Sequence, residues 1–147
     1  VLELSEKEKA TLLFAVPTTM NMMAMQENFK EVDLSHVRFA IVGGEPMPIE
    51  LIKTWHEKGL QVRQGYGLTE FGPNVFSLPQ QDSIKKIGSI GFPNFYVDTD
   101  IVDDSGRSLP AGEIGELILR GPMAMKGYWK NNKATQETLR NSWLYTG

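Results

Sequence analysis

The sequence predicts an α/β fold that passes into antiparallel β-structure, and three observations carry that expectation. Two apolar runs of strand length, residues 11–16 and 37–42, each break at Pro or Gly and lead into a helix-period stripe. A third strand-like stretch, residues 60–63, follows the second stripe, which makes a strand–helix–strand unit with parallel strands and a right-handed crossover. From Tyr96 the apolar period changes to two and hairpin turns begin. The expected organisation is a parallel βαβ portion over residues 1–94 and a small antiparallel, barrel-like portion over 95–147.

The elements follow in order. Ser5 is placed to cap a short helix reaching Lys9. Residues 11–16 form a buried strand stopped by Pro17. Thr18 or Thr19 then caps a helix that carries Met20, Met22, Met23 and Met25 toward Phe29. Four methionines at helical spacing read most simply as core filler, with a pliable wall for an apolar substrate as the other reading. Residues 37–42 are almost continuously apolar, as a strand covered on both faces should be. Pro48 suits the first turn of a helix whose stripe is Ile49, Ile52 and Trp55, and Gly59 suits its left-handed stop. Later, residues 96–102 alternate, Asp103-Asp104-Ser105-Gly106 marks a hairpin, residues 116–120 make a further strand, and a short helix is expected near 133–140.

Composition excludes several classes. The chain of 147 residues is 41% hydrophobic and 22% charged, which places it among globular proteins rather than disordered ones. Net charge is −3 without a Lys/Arg cluster, so a nucleic-acid partner is not expected. There is no cysteine, which rules out disulfides and thiolate metal sites. No apolar stretch reaches the roughly 20 residues of a transmembrane helix, and no targeting segment opens the chain. A cytoplasmic location is the expectation. His36 and His56 lack partners at metal-ligand spacing. Asp98, Asp100, Asp103 and Asp104 lack the spacing of a calcium loop.

Chemistry concentrates in two glycine-rich stretches, residues 43–46 and 64–72. Both are expected to leave the carboxyl ends of neighbouring parallel strands, the edge where open α/β sheets bind ligands. Gly65-Tyr66-Gly67 permits a backbone path whose amides can face phosphate. Tyr66 can stack on a base, Thr69 can donate a hydroxyl hydrogen bond, and Glu70 is a hard carboxylate of the kind Mg²⁺ takes alongside phosphate. An ordinary tight turn with a solvated Glu70 is the alternative reading of the same spacing.

Four motifs resemble those of the adenylate-forming acyl-CoA synthetase superfamily, in that family's order. They are Val42-Gly43-Gly44-Glu45-Pro46, then Arg63-Gln64-Gly65-Tyr66-Gly67-Leu68-Thr69-Glu70. Gly115-Glu116-Leu117-Ile118-Leu119-Arg120-Gly121 follows with Gly127-Tyr128-Trp129, and Trp143-Leu144-Tyr145-Thr146-Gly147 comes last. Phe14-Ala15-Val16-Pro17 looks like the strand before the family's acyl-pocket helix. The resemblance implies a partial domain of the large N-terminal domain of an ATP-dependent acid–thiol ligase, most like a fatty-acid CoA ligase. It implies ATP, Mg²⁺ and coenzyme A as cofactors and a carboxylic acid as substrate. By the same analogy Gly44, Glu45 and Pro46 line the adenine pocket, and Gln64, Gly65, Tyr66 and Gly67 hold the nucleotide. Thr69 binds the α-phosphate and Glu70 ligates Mg²⁺, so these two are the expected catalytic residues. Gly43, Thr18 and Phe71 would face the acyl pocket.

The family's phosphate loop, ribose-binding aspartate and lysine-bearing C-terminal domain are not in this sequence. The chain is therefore expected to be an internal fragment, inactive alone, whose partners are the remaining parts of the same enzyme. The alternatives are a non-catalytic adenylate-binding module, an aryl-acid CoA ligase and a luciferase-like member.

Overall fold

The computed structural model describes residues 1–147. Four α-helices, Leu2–Lys7 (α1), Pro17–Ala24 (α2), Ile49–Glu57 (α3) and Asn132–Thr138 (α4), accompany nine strands. The first five strands are Leu12–Ala15 (β1), Phe39–Val42 (β2), Val62–Leu68 (β3), Gly72–Ser77 (β4) and Phe92–Pro93 (β5), and they lie in sequential order in one sheet. The other four, Asp98–Val102 (β6), Glu116–Arg120 (β7), Leu139–Arg140 (β8) and Trp143–Tyr145 (β9), form a second sheet in the order β6-β7-β9-β8. The chain divides into two compact units. Unit 1 comprises residues 1–66 and 76–92; unit 2 comprises 67–75 and 93–147.

Unit 1 contains the expected parallel crossover. β1 pairs with β2, and β2 with β3, both in parallel. One sheet face meets the helices through Leu13, Ala40, Val42 and Val62, which join Met20, Met23, Phe29, Ile52 and Trp55 in one buried cluster. Trp55 is the centre of that cluster. It is fully buried, meets the Phe29 ring edge-on at 4.9 Å between centroids and donates its indole N–H to the Met20 carbonyl at 3.3 Å. Burying Trp55 and Ile52 on the α3 stripe contributes about 2 kcal/mol each or more. Gly59 (φ 92°) supplies the left-handed stop of α3. Leu12 and Phe14 alternate with Leu13 along β1 and so point to the opposite face, where Phe14 is 73% exposed.

Several local expectations change. α1 starts at Leu2 with Val1 as its cap residue, and Ser5 lies inside it, its hydroxyl donating to the Val1 carbonyl at 3.0 Å. α2 starts at Pro17, because a proline's missing N–H is harmless in the first turn and its φ is already helical. Neither Thr18 nor Thr19 caps it. It ends at Ala24, and Phe29 belongs to a separate 3₁₀ turn, Glu27–Lys30. Of the four methionines, Met20 and Met23 are core and Met22 and Met25 are exposed. The largest change is in residues 64–72. β3 runs through Gln64, Gly65, Tyr66 and Gly67 to Leu68, so this is not a loop leaving a strand end. The turn is Thr69–Phe71, and it leads into β4 rather than into a helix.

Unit 2 is built on antiparallel pairing of β6 with β7, β7 with β9 and β9 with β8. The residues expected as a hairpin at 103–106 do form a turn. The Asp103 carboxylate accepts from the backbone N–H groups of Ser105 (2.9 Å) and Arg107 (3.0 Å) and pairs with the Arg107 guanidinium. A hydrogen bond from the Ser105 hydroxyl at 2.6 Å, with these bonds behind it, holds its carboxyl well below the usual carboxylate range. Asp98 pairs with Arg120 across the β6–β7 ladder, so the aspartates here are structural. α4 is capped by Asn131, whose side chain accepts from the Ala134 N–H at 3.1 Å.

Candidate functional site

In unit 1, β2 ends at Val42 and the chain turns through Gly43 and Gly44. Gly44 has φ 90°, a conformation that favours glycine. Gly43 is needed for a different reason. A side chain there would meet the Gly65 carbonyl oxygen at 3.2 Å, so the end of β2 and the middle of β3 approach as bare backbone. Glu45 and Pro46 are exposed. With Pro17, Thr18, Asn21 and Leu51 they line an open groove of about 590 Å³. Thr18, Glu45 and Pro46, expected from the sequence, therefore do come together on one surface of unit 1.

Gln64 stands differently. It is 6% exposed, and its side-chain amide is engaged within unit 1: Oε1 accepts from the Met47 N–H at 3.0 Å, and Nε2 donates to the Gly88 carbonyl at 3.4 Å. Its amide braces the 43–47 loop against β3. Tyr66 is half-buried and its ring meets Phe76 edge-to-face at 5.9 Å, so one side of the ring is already packed.

The remaining expected residues lie in unit 2. Gly67 has an ordinary φ, and a Cβ there would stand 2.7 Å from the Gly72 oxygen and 2.8 Å from the Asn74 nitrogen. Close packing of the hairpin requires glycine here. Thr69 is exposed on the turn, which is closed by the Phe71 N–H donating to the Leu68 carbonyl at 3.1 Å. Phe71, expected at the acyl pocket, is fully enclosed in unit 2, and a Cβ on Gly121 would lie 3.1 Å from its ring.

Glu70 carries the feature that sequence reasoning missed. Its Oε1 accepts a hydrogen bond from the Tyr128 hydroxyl at 2.8 Å, and its backbone carbonyl accepts from the Met125 N–H at 2.7 Å. The bond to Glu70 pushes the Tyr128 phenol upward, because ionising it would lose that bond beside a negative charge. The signal available in the sequence was Gly127-Tyr128-Trp129, which carried resemblance but no role. Trp129 is 88% exposed. The two histidines are structural: ring Nε2 atoms of His36 and His56 lie 2.8 Å and 3.4 Å from the Ser5 and Val62 carbonyls. No group of three or more His, Asp or Glu side chains is placed to hold a metal by itself. The donor set at Glu70 is thus one hard carboxylate. That fits Mg²⁺ arriving with a nucleotide, which needs one or two carboxylates plus phosphates and water.

These features lie partly in an α/β unit and partly in an antiparallel unit. The chain belongs to the AMP-binding enzyme family, whose model matches residues 1–129. It is 41% identical over its whole length to a feruloyl-CoA synthase of Amycolatopsis sp., of which it spans 30%. It is 36% identical over 97% of its length to a long-chain-fatty-acid–CoA ligase of Haemophilus influenzae, of which it spans 25%. Among solved structures, the anthranilate CoA ligase AuaEII in complex with anthranoyl-AMP superposes with a TM-score of 0.90 at 32% identity. That match covers 99% of this chain and 28% of the ligase. The chain therefore spans about a third or less of the relatives it matches. No helix is long and apolar enough to cross a membrane.

Proposed function

We propose that the parent protein is an ATP-dependent acid–thiol ligase. It joins a carboxylic acid to the α-phosphate of ATP, releasing pyrophosphate, and passes the acyl group of the acyl-adenylate to the thiol of coenzyme A. The observation that carries this reading is the Thr69–Glu70 turn, an exposed hydroxyl next to a carboxylate held by Tyr128, inside the residues that match the family. Charge develops on the α-phosphoryl oxygens as the carboxylate attacks the α-phosphorus and pyrophosphate leaves, and fixed donors beside that group lower the barrier. Thr69 supplies such a donor. Glu70 supplies the carboxylate for Mg²⁺, which when bound offsets phosphate charge. Glu45, Pro46 and Tyr66 are assigned to the adenine, Gly44 and Gly65 to its backbone contacts, and Gly43 and Thr18 to the acid side. Gln64 and Gly67 act in this reading by shaping the backbone, and Phe71 by fixing the Thr69–Phe71 turn.

The acid is assigned as apolar and without an amine, since residues 14–16 are Phe, Ala and Val and offer no carboxylate to an ammonium group. A fatty acid is the first reading. An aryl acid is the second, favoured by the higher identity to the relative named for feruloyl-CoA than to the fatty-acid ligase. The reaction belongs to the cytoplasm, where ATP and coenzyme A are available.

Acid-dependent pyrophosphate–ATP exchange on the full-length parent protein tests the reading, with fatty acids of graded length, ferulate and anthranilate as the panel. Exchange with at least one acid, followed by formation of its CoA thioester, is expected. Adenylate binding without exchange would replace the ligase with a non-catalytic binding module, and light emission with luciferin would point to the luciferase-like branch. The 147-residue chain alone is expected to give no exchange.

A further inference from the structure

We propose that Tyr128 is a positioning residue for Glu70: its phenol fixes one carboxylate oxygen so that the other is presented to the divalent cation that accompanies the nucleotide. This rests on the reading of Glu70 as the metal carboxylate. The Tyr128 hydroxyl donates to Glu70 Oε1 at 2.8 Å, which commits one oxygen and leaves its geminal partner for a cation. The donor is neutral. No Lys or Arg pairs with Glu70, so no side-chain cation takes the place of a hard divalent one. A cationic partner would compete with the metal; a phenol orients without competing.

The phenol is itself held in place from several directions. The segment bearing it is tied to the Glu70 turn by the Met125 N–H, which donates to the Glu70 carbonyl at 2.7 Å. The Tyr128 N–H donates to Thr135 Oγ1 at 2.9 Å, and that hydroxyl donates in turn to the Asn131 carbonyl at 2.8 Å. Gly127 has φ 145°, and a Cβ there would lie 2.8 Å from Thr135 Cγ2, so only glycine lets the segment come this close to α4. Two residues 58 positions apart in the chain thus meet through a scaffold of a capped helix and a glycine contact. A chance surface hydrogen bond would not need that support.

The test measures Mn²⁺ binding by electron paramagnetic resonance on the full-length parent protein with α,β-methylene-ATP, so that no turnover is required. Y128F is expected to weaken Mn²⁺ binding about tenfold, in the range for losing a residue that orients a metal ligand. Nucleotide affinity without metal should stay the same. E70Q should weaken Mn²⁺ binding at least as much, and the double variant should be no weaker than E70Q alone, because Tyr128 acts through Glu70. Unchanged binding in Y128F beside a weakened E70Q overturns the positioning role and leaves Glu70 as the ligand. Unchanged binding in E70Q overturns the reading of Glu70 itself. Additive losses in the double variant would show Tyr128 acting apart from Glu70 and would also overturn the proposal. Should Y128F fail to fold, T135V removes the hydroxyl that accepts the Tyr128 N–H and holds the segment bearing the phenol. A smaller loss of Mn²⁺ affinity supports the proposal, and no loss overturns it.

Discussion

In unit 1 one continuous apolar cluster runs through Leu2, Met20, Phe29, Ala40 and Trp55 to Val62, and the exposed loop of Gly44, Glu45 and Pro46 hangs on its rim. In unit 2 the buried residues are fewer, chiefly Phe71, Val102, Ile118, Leu119 and Leu144, and the segments between strands are held by glycine contacts and polar ties. The difference separates two ways of fixing a functional group. Unit 1 holds its loop by burying side chains beneath it and bracing it with the enclosed amide of Gln64. Unit 2 holds Glu70 by hydrogen bonds at the surface, where the carboxylate stays accessible. In the role proposed for Glu70, a carboxylate that meets a cation cannot be buried deeply without a large desolvation cost, so the second method suits it.

The contrast is broken or sharpened by variants in each unit. The largest effect is expected for Trp55→Ala, which empties the centre of the unit 1 cluster and removes the indole bond to the Met20 carbonyl. A loss of about 3–5 kcal/mol in urea unfolding is expected. A loss under about 1 kcal/mol would mean that unit 1 does not depend on its core. Gly67→Ala comes next. The new Cβ would press on the Gly72 oxygen, the Asn74 nitrogen and the Pro73 Cα, at 2.7, 2.8 and 2.9 Å, all backbone atoms that cannot rotate away. About 2 kcal/mol of destabilisation is expected. Normal stability with weakened nucleotide binding would instead assign Gly67 to the ligand.

The smallest effect concerns the 103–107 turn. The Asp103 carboxyl is depressed in the folded chain below its ordinary value of 3.8 by hydrogen bonds from Ser105 and Arg107. Its contribution is therefore complete above that ordinary value and is lost as pH falls through the depressed folded one. Asp103→Asn should lower the melting temperature slightly at neutral pH, and the gap from the unsubstituted protein should close in acid. A gap that stays constant with pH would assign the turn's stability to backbone geometry alone.

Much of unit 1 was legible because its signals are local. Apolar runs and stripes mark β1, β2 and α3, and Pro17 and Gly59 mark ends. The strand around residues 64–68 was hidden, because glycine frequency suggests a loop and nothing local reveals that Gly67 sits against Gly72 and Asn74. Unit 2 showed its ladder through the alternation of residues 96–102 and the Asp103 turn, while Phe71 became visible as core only once Gly121 lay against its ring. For the proposed site, the residue types at 43–46 and 64–70 supply the donors, aromatic face and hard carboxylate that a nucleotide, its phosphates and a metal would demand.

The sequence by itself determined the βαβ order, the change to antiparallel pairing and the adjacency of a hydroxyl and a carboxylate at Thr69 and Glu70, because periodicity, turn residues and donor types are properties of neighbours along the chain. Only the tertiary structure decided that Gln64 braces a loop, that Gly67 is a packing glycine and that Tyr128 meets Glu70. Those facts depend on pairs 17, 5 and 58 positions apart, and a hydrogen bond or steric contact at that separation exists only after the backbone has folded around it.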